Sequence, residues 1–302
     1  MDTLRIIQRF HHLFYTPQFV IMHLGVLEQE GLRVELTTAT SAAEVNEKLL
    51  KGEADLGLGG PIRTLELAEH GSQGRLISLL EVNSRNGFFI LAREPQPQFQ
   101  WADLVGRRLI LFAEAPTPWL CLQHVLRRHG VDPRTIHVQP NLVTAEAVAM
   151  FLRGEAEYLE QSQPVTETLT STGQAALVAA EGEAVGALPF SAYLATPAFI
   201  SSHAELLRRF TRAFYRAQQW LAQHSAEELS QLIAPAFPDI EPALRARVLA
   251  RYLRQQTWAR DPLLRQAGFE YLQDILLGAG FTTKRYPYSD HVNTEFAQEA
   301  MA

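Results

Sequence analysis

The chain of 302 residues holds a single cysteine, Cys121, which excludes an internal disulfide and any cysteine-based metal cluster. Lysine is nearly as scarce, since Lys48, Lys51 and Lys284 are the only three. Two of them sit in the phrase KLLKG, a helix end and a poor place for a Schiff base. No apolar run approaches the roughly 18 residues of a membrane span, so no membrane insertion is expected. The G-x-S-x-G, H-E-x-x-H, Walker and C-x-x-C signatures are all missing. GLGGPIR (57–63) begins like a dinucleotide loop but lacks its third glycine. No catalytic residues and no cofactor are therefore expected. His11 and His12 are adjacent and would point to opposite sides of an extended strand, so no metal pair is expected. A net charge of −6 gives no field for nucleic acid, and the arginine-rich stretch 243–260 reads as an amphipathic helix with a solvated face. The start, MDTLRIIQRF, shows no charged-then-apolar leader. The expected location is the periplasm if a leader has been removed, and the cytoplasm as written.

What the chain does have is 47% hydrophobic residues and 20% charged ones, enough to bury the core of two domains. LRIIQRF (4–10), RVELTT, ADLGLGG and RLISLLEV (75–82) read as strands. Helices are expected between them: residues 16–31, opening on Thr16-Pro17, then AAEVNEKLLK behind a Ser41 cap, then a segment starting at Pro61. Strand and helix alternating in this way predicts a largely parallel sheet covered on both faces.

The same order then recurs. RRLILF, TIHVQP, EAEYLE and AALVAA are strands, and helices open at Thr117-Pro118 and Thr144 and follow Pro164. KLLKGEAD (48–55) and MFLRGEAE (150–157) are nearly the same phrase, about a third of the chain apart, and Gly31 and Gly130 are separated by nearly the same interval. Two similar α/β lobes are the economical reading. The repeated phrase is a helix stop: a cation in the last turn, a glycine suited to left-handed geometry, then the next strand. Its carboxylates fall at the amino end of a parallel strand, away from where ligands gather, so the phrase is expected to be scaffolding. Two extended stretches, GFFILARE and VGALPFSAYLA, would cross between lobes. Lobe I is expected to comprise 1–90 and 191–302, with lobe II, 91–190, inserted in it. Beyond residue 200 the pattern is helical, with Leu206, Phe210, Ala213, Phe214, Ala217 and Leu221 on one stripe.

FYTPQFVIMHLGVLEQEGLRVEL (14–36), LLKGEADLGLGG (49–60), FQWADLVGRRLILF (99–112), HGVDPRTIHV (129–138) and FLRGEAEYLEQSQP (151–164) occur in a telling order. In that order they resemble the solute-binding proteins of the thiamine-precursor, sulfonate and nitrate class, which serve ABC transporters. The resemblance implies an α/β, bilobal, periplasmic-binding-protein-like fold of type II, with two doubly wound lobes, two crossing segments and a helical C-terminal region. It also implies hinge closure on a small planar or anionic organic molecule held in an interlobe cleft, delivery to an ABC permease, and a monomer. At greater distance the family resembles pyrimidine-precursor synthases and desulfinases. An intracellular enzyme of that type, or a cytoplasmic ligand sensor, is the alternative.

Candidate ligand residues lie after the strand ends. In the first loop they are Phe14, Tyr15, Thr16 and Gln18, with Tyr15 or Phe14 stacking on a planar ligand or else packing under the loop. After ADLGLGG come Gly59, Gly60 and Arg63; the arginine would meet an anionic group, or would pair with Glu66 or Glu81. Arg85 follows a buried strand. In the second repeat Glu114, Thr117 and Trp119 mark a strand–helix junction, where Trp119 walls the ligand or is packing. Glu160 and Gln161 replace the first copy's Gly59-Gly60, and a buried carboxylate there needs a partner. Tyr193 and Trp258 are weaker candidates, and Cys121 is expected in the core.

Overall fold

The computed structural model describes residues 1–72 and 74–302. The chain folds as two compact units, the first comprising Met1–Ser84, Leu188–Pro242 and Trp258–Ala302, the second Arg85–Ala187 and Ala243–Thr257.

The first unit is built on five strands: β1 (Asp2–Gln8), β2 (Leu32–Thr38), β3 (Leu56–Gly59), β4 (Ile77–Asn83) and a later one, Ser191–Ala195. In the second unit lie β5 (Phe88–Ala92), β6 (Arg108–Ile110), β7 (His137–Gln139), β8 (Tyr158–Ser162) and β9 (Ala176–Ala180). Ser191–Ala195 is then β10. The sheet orders are β2-β1-β3-β10-β4 and β7-β6-β8-β5-β9. The two units thus repeat one topology, with β1, β2, β3 and β4 matched by β6, β7, β8 and β9. In each sheet the fourth position is an antiparallel strand: β10 against β3 and β4, and β5 against β8 and β9. The two stretches read from the sequence as crossings contain these strands, β5 within the second unit and β10 within the first.

The repeated phrase works as a helix stop in both places. Helix Ala42–Leu50 ends with the Glu53 N–H on Lys48 O and the Gly52 N–H on Leu49 O, and helix Thr144–Leu152 with Glu155 on Met150 and Gly154 on Phe151. Both glycines are left-handed, at φ 71° and 79°. The last residue of each phrase has a further use. Asp55 accepts from the Arg5 N–H at 2.7 Å and its guanidinium at 2.6 Å, and Glu157 accepts from the Arg108 N–H at 2.8 Å and its guanidinium at 3.3 Å. Each acid thereby clasps the arginine on the neighbouring first strand and sets strand register. Replacing Gly52 or Gly154 by alanine is expected to cost about 1 kcal/mol each through left-handed strain, read as a lowered denaturation midpoint, with ligand affinity unchanged.

Sheet residues alternate between two apolar layers, as the pleat requires. In the second unit Ile90, Leu109, Leu111 and Tyr158 pack with Leu122 and Leu126 on one face, and Leu91, Ile110 and Leu159 with Phe151 and Leu169 on the other. In the first unit Tyr193 on β10 is fully buried, edge-on to Phe210 and Phe214 of helix Ala204–Gln223 at 5.2 and 5.1 Å. That helix buries Leu207 rather than the expected Leu206, because its stripe drifts by one position toward the sheet.

Two expectations change. The helix anticipated over 16–31 is two pieces, Thr16–His23 and Val26–Gln29, broken at Leu24-Gly25. The segment 243–257, anticipated within 191–302 of the first lobe, folds with the second unit. There Arg251 of helix Pro242–Arg254 binds Glu167 at 2.8 Å, and the Tyr252 hydroxyl accepts from the Gln163 N–H at 3.3 Å. The chain therefore passes between units at 84–85 and 187–188, and again around this helix. No helix among the described residues is long and apolar enough to cross a membrane.

Candidate functional site

In the first unit the carboxyl ends of the parallel strands share an edge with the start of β10. Gln8 closes β1, Gly59 closes β3 and Asn83 closes β4, while Ser191, the ladder partner of Asn83, opens β10. Gln8, Asn83 and Ser191 are buried, as is Gln18 in the first turns of helix Thr16–His23. Their hydrogen bonding is incomplete. Both polar atoms of the Asn83 amide lack a partner among the described residues, as do Gln18 Nε2, Gln8 Oε1 and Ser191 Oγ. The other ends of the two glutamines are engaged: the Tyr193 hydroxyl donates to Gln18 Oε1, and Gln8 Nε2 donates to Thr38 Oγ1 at 3.3 Å. A buried amide with neither end satisfied costs roughly 1–3 kcal/mol, and such groups are retained where something binds them.

Aromatic rings accompany this polar edge. Phe14 and Tyr15 form the short turn Leu13–Tyr15, their rings 5.5 Å apart, and Phe14 meets Phe190 edge-on at 5.6 Å. The turn is held by the Phe14 N–H on His12 Nδ1 at 3.0 Å and by Trp258 Nε1 donating to Phe14 O at 2.9 Å. Tyr15 is buried, and burial pushes its hydroxyl up to about 12 against the opposing charge of Arg63, so it stays a neutral donor. Gly60 lies close to Phe190, where an added Cβ would come within 3.3 Å of the Phe190 carbonyl oxygen.

Several expected residues are otherwise employed. The Thr16 hydroxyl donates to Leu13 O at 2.7 Å, making it a turn residue. Arg63 pairs with Glu66 at 3.1 Å, the alternative left open from the sequence. His11 bonds Ala236 O at 2.6 Å and packs on Phe19 and Phe237. Trp258 anchors the Phe14 turn. Asn83 and Ser191 were not anticipated. The one sequence signal was an asparagine closing the strand stretch ISLLEV.

In the second unit the corresponding edge is formed by the ends of β6 and β8 and the start of β5. Glu160 is fully buried in β8 and accepts from the Phe112 N–H at 2.9 Å through Oε2. Burial pushes its carboxyl up to about 7. Gln161, also buried, accepts from the Ser162 N–H at 3.3 Å. Glu114 is exposed in the loop after β6, with Thr144 at 3.5 Å. Thr117 begins helix Thr117–Arg128 and is buried. Trp119 packs against the Leu122–Tyr158 layer, which gives it a structural role. Arg85 donates to Gly182 O at 3.2 Å. Cys121 is fully buried, and burial next to Glu181 and Glu160 pushes its thiol well up. Among the described residues no group of three or more His, Cys, Asp or Glu could hold a metal ion.

The twin β-α sheets with the inserted antiparallel strand define a periplasmic-binding-protein-like fold. The NMT1/THI5-like family model matches residues 15–228, well over half of the chain, and the protein belongs to that family. A Bacillus subtilis (strain 168) protein, YtlA, named for a binding role, is 29% identical over 290 residues, covering 96% of this chain and 87% of YtlA. Among solved structures, the alkanesulfonate-binding protein SsuA of Xanthomonas axonopodis pv. citri, bound to MOPS, superposes with a TM-score of 0.75 at 22% identity, covering 97% of this chain and 99% of that one. The desulfurization enzyme DSZB gives a TM-score of 0.73 at 17% identity, covering 100% and 99%. At such identities these structures establish the fold.

Proposed function

We propose that the protein is a solute-binding protein that takes a small organic anion of the sulfonate class, without chemical conversion, at the strand-end edge of the first unit. The observation that carries this reading is the set of buried, unpartnered polar atoms there: the Asn83 amide, Gln18 Nε2, Ser191 Oγ and Gln8 Oε1. Donors and acceptors are both among them, and all are neutral. Together with the Ile62 N–H at the start of helix Ile62–Glu69, they suit an oxyanion head that is hydrogen-bonded rather than ion-paired. The Phe14–Tyr15–Phe190 rings suit an apolar tail. Glu114, Thr117 and Gln161 of the second unit are also proposed as ligand-binding residues. The likeness to SsuA and YtlA supports binding as the role, and delivery to an ABC permease is part of the same proposal.

An enzyme of the desulfinase type would need an accessible nucleophile. The sole thiol, Cys121, is fully buried beside two carboxyls that oppose its ionisation, a setting for an inert core residue. Thermal unfolding in the presence of a panel of alkyl and aryl sulfonates tests the binding reading. A binder at about 100 times its Kd should stabilise the protein by ~2.7 kcal/mol, a rise of several degrees. An unmoved unfolding temperature across the panel would overturn it.

A further inference from the structure

The second unit contains two carboxyls in one place. Glu181 opens the short helix Glu181–Val185 and is fully buried, like Glu160. The two carboxyls are within hydrogen-bonding reach of each other. Each has one oxygen already committed to an N–H donor: Glu160 Oε2 takes the Phe112 N–H at 2.9 Å, and Glu181 Oε2 takes the Asn86 amide at 2.7 Å. The remaining oxygens, Glu160 Oε1 and Glu181 Oε1, have no donor among the described residues. Two neighbouring buried carboxylates repel each other unless a proton lies between them.

The surroundings offer no easy counter-charge. From helix Thr117–Arg128 the facing group is the buried Cys121 thiol. Arg128 of that helix reaches Ala184 O at 3.4 Å, and Arg85 reaches Gly182 O at 3.2 Å, so both guanidiniums bind backbone of the Glu181 helix. Asn86 is itself pinned. Its Oδ1 accepts from the Phe88 N–H at 2.8 Å and its carbonyl accepts from Gln255 Nε2 at 2.7 Å. Gly182 lets the helix approach this close, since a Cβ there would lie 2.2 Å from Asn86 O. The pair is thus held from both sides by rigid partners.

We propose that Glu160 and Glu181 share a proton at neutral pH, and that this carboxyl–carboxylate pair positions the loop after β6 through the Phe112 N–H. That loop leads from Phe112, whose ring packs on Phe88 at 4.8 Å, through Glu114 to Thr117. Glu160 and Glu181 are positioning residues, and their consequence for solute affinity rests on the proposed binding function. Burial raises both carboxyls, Glu160 to about 7 and Glu181 well above its usual value. A carboxyl raised on folding contributes stability that is fully present below its unfolded value of roughly 4.3 and is lost as pH rises through the folded value. The loop is therefore held most firmly below about pH 4.3 and loosens progressively as pH rises through about 7.

Hydrogen exchange at the Phe112 amide in the ligand-free protein tests the pair independently of any solute. Its protection factor, corrected for intrinsic exchange, should fall at least ~10-fold between pH 6 and 9 in the wild type, the equivalent of one pKa unit. Glu160→Gln keeps an acceptor for Phe112 and supplies the missing donor to Glu181, so it should keep high protection at every pH. Glu160→Ala should lose protection at every pH. Wild-type protection that does not change with pH, or a Glu160→Gln variant that titrates as the wild type does, would overturn the shared proton. If the amide behaves as stated but sulfonate binding does not occur, the pair stands and the binding reading fails.

Discussion

Asn83→Leu is expected to make the ligand-free protein more stable and the binding protein nearly useless. Asn83 is fully buried at the end of β4, and both polar atoms of its amide lack partners among the described residues. Leucine has nearly the same shape and removes both uncompensated groups, so stability should rise by ~1–2 kcal/mol. The backbone contacts that seat the residue, including the Phe190 N–H on Asn83 O at 2.9 Å, do not involve the side chain and should persist. Solute affinity should fall ~30- to 100-fold, about 2–3 kcal/mol, because a donor site built for an oxyanion would then face it with a methyl group. Denaturant unfolding and a binding titration on the same preparation measure the two effects. Opposite signs are the signature of a polar group kept for function; a loss of stability with unchanged affinity would assign Asn83 to the scaffold.

Glu81→Gln should flatten much of the pH dependence of stability. Glu81 is buried in β4 of the first unit, and burial pushes its carboxyl up to about 8. Arg265 lowers it and Asp261 raises it, both less than burial does. Because the folded value is raised, the wild type keeps its full stability below about pH 4.5. It loses stability progressively as pH rises, with the loss complete above about 8. The shift corresponds to a penalty on the order of 3–5 kcal/mol at alkaline pH. Glutamine carries no such penalty. The variant should match the wild type at pH 4 and exceed it by several kcal/mol at pH 9, read from urea midpoints of the first unit. Parallel pH profiles for the two proteins would contradict the assignment.

The repeated phrase was legible because its physics is local. A helix stop needs a cation, a left-handed glycine and a return to extended chain within five residues, and all of these lie next to one another in sequence. The common topology of the two sheets follows from its recurrence. What the phrase did not reveal is its long-range half, the grip of Asp55 and Glu157 on Arg5 and Arg108, which joins residues some fifty positions apart.

The candidate site divides on the same principle. Phe14, Tyr15 and Gln18 follow β1, Gly59 and Gly60 mark the end of β3, and Glu160 and Gln161 lie in the later half of β8, all positions that can be counted off from the strand pattern. Arg63, Thr16 and Trp119 gave way to local partners that the sequence also offered: Glu66, Leu13 O and the apolar layer beneath the helix. Asn83 and Ser191 were invisible as a pair, since only the antiparallel insertion of β10 beside β4 brings them together. Helix Pro242–Arg254 was assigned to the wrong unit for a similar reason. Its partners, Glu167 and Gln163, lie about 80 residues earlier and no local pattern names them.

The central claim is that this protein holds an organic sulfonate and returns it unchanged. Isothermal titration with a simple alkanesulfonate, followed by chromatographic recovery of the titrant and assay for released sulfite or sulfate, tests it directly. The account predicts one site per chain, affinity lowered ~30- to 100-fold by Asn83→Leu, and complete recovery of intact sulfonate. Heatless titration across alkyl and aryl sulfonates, or release of inorganic sulfur from a bound one, would contradict it.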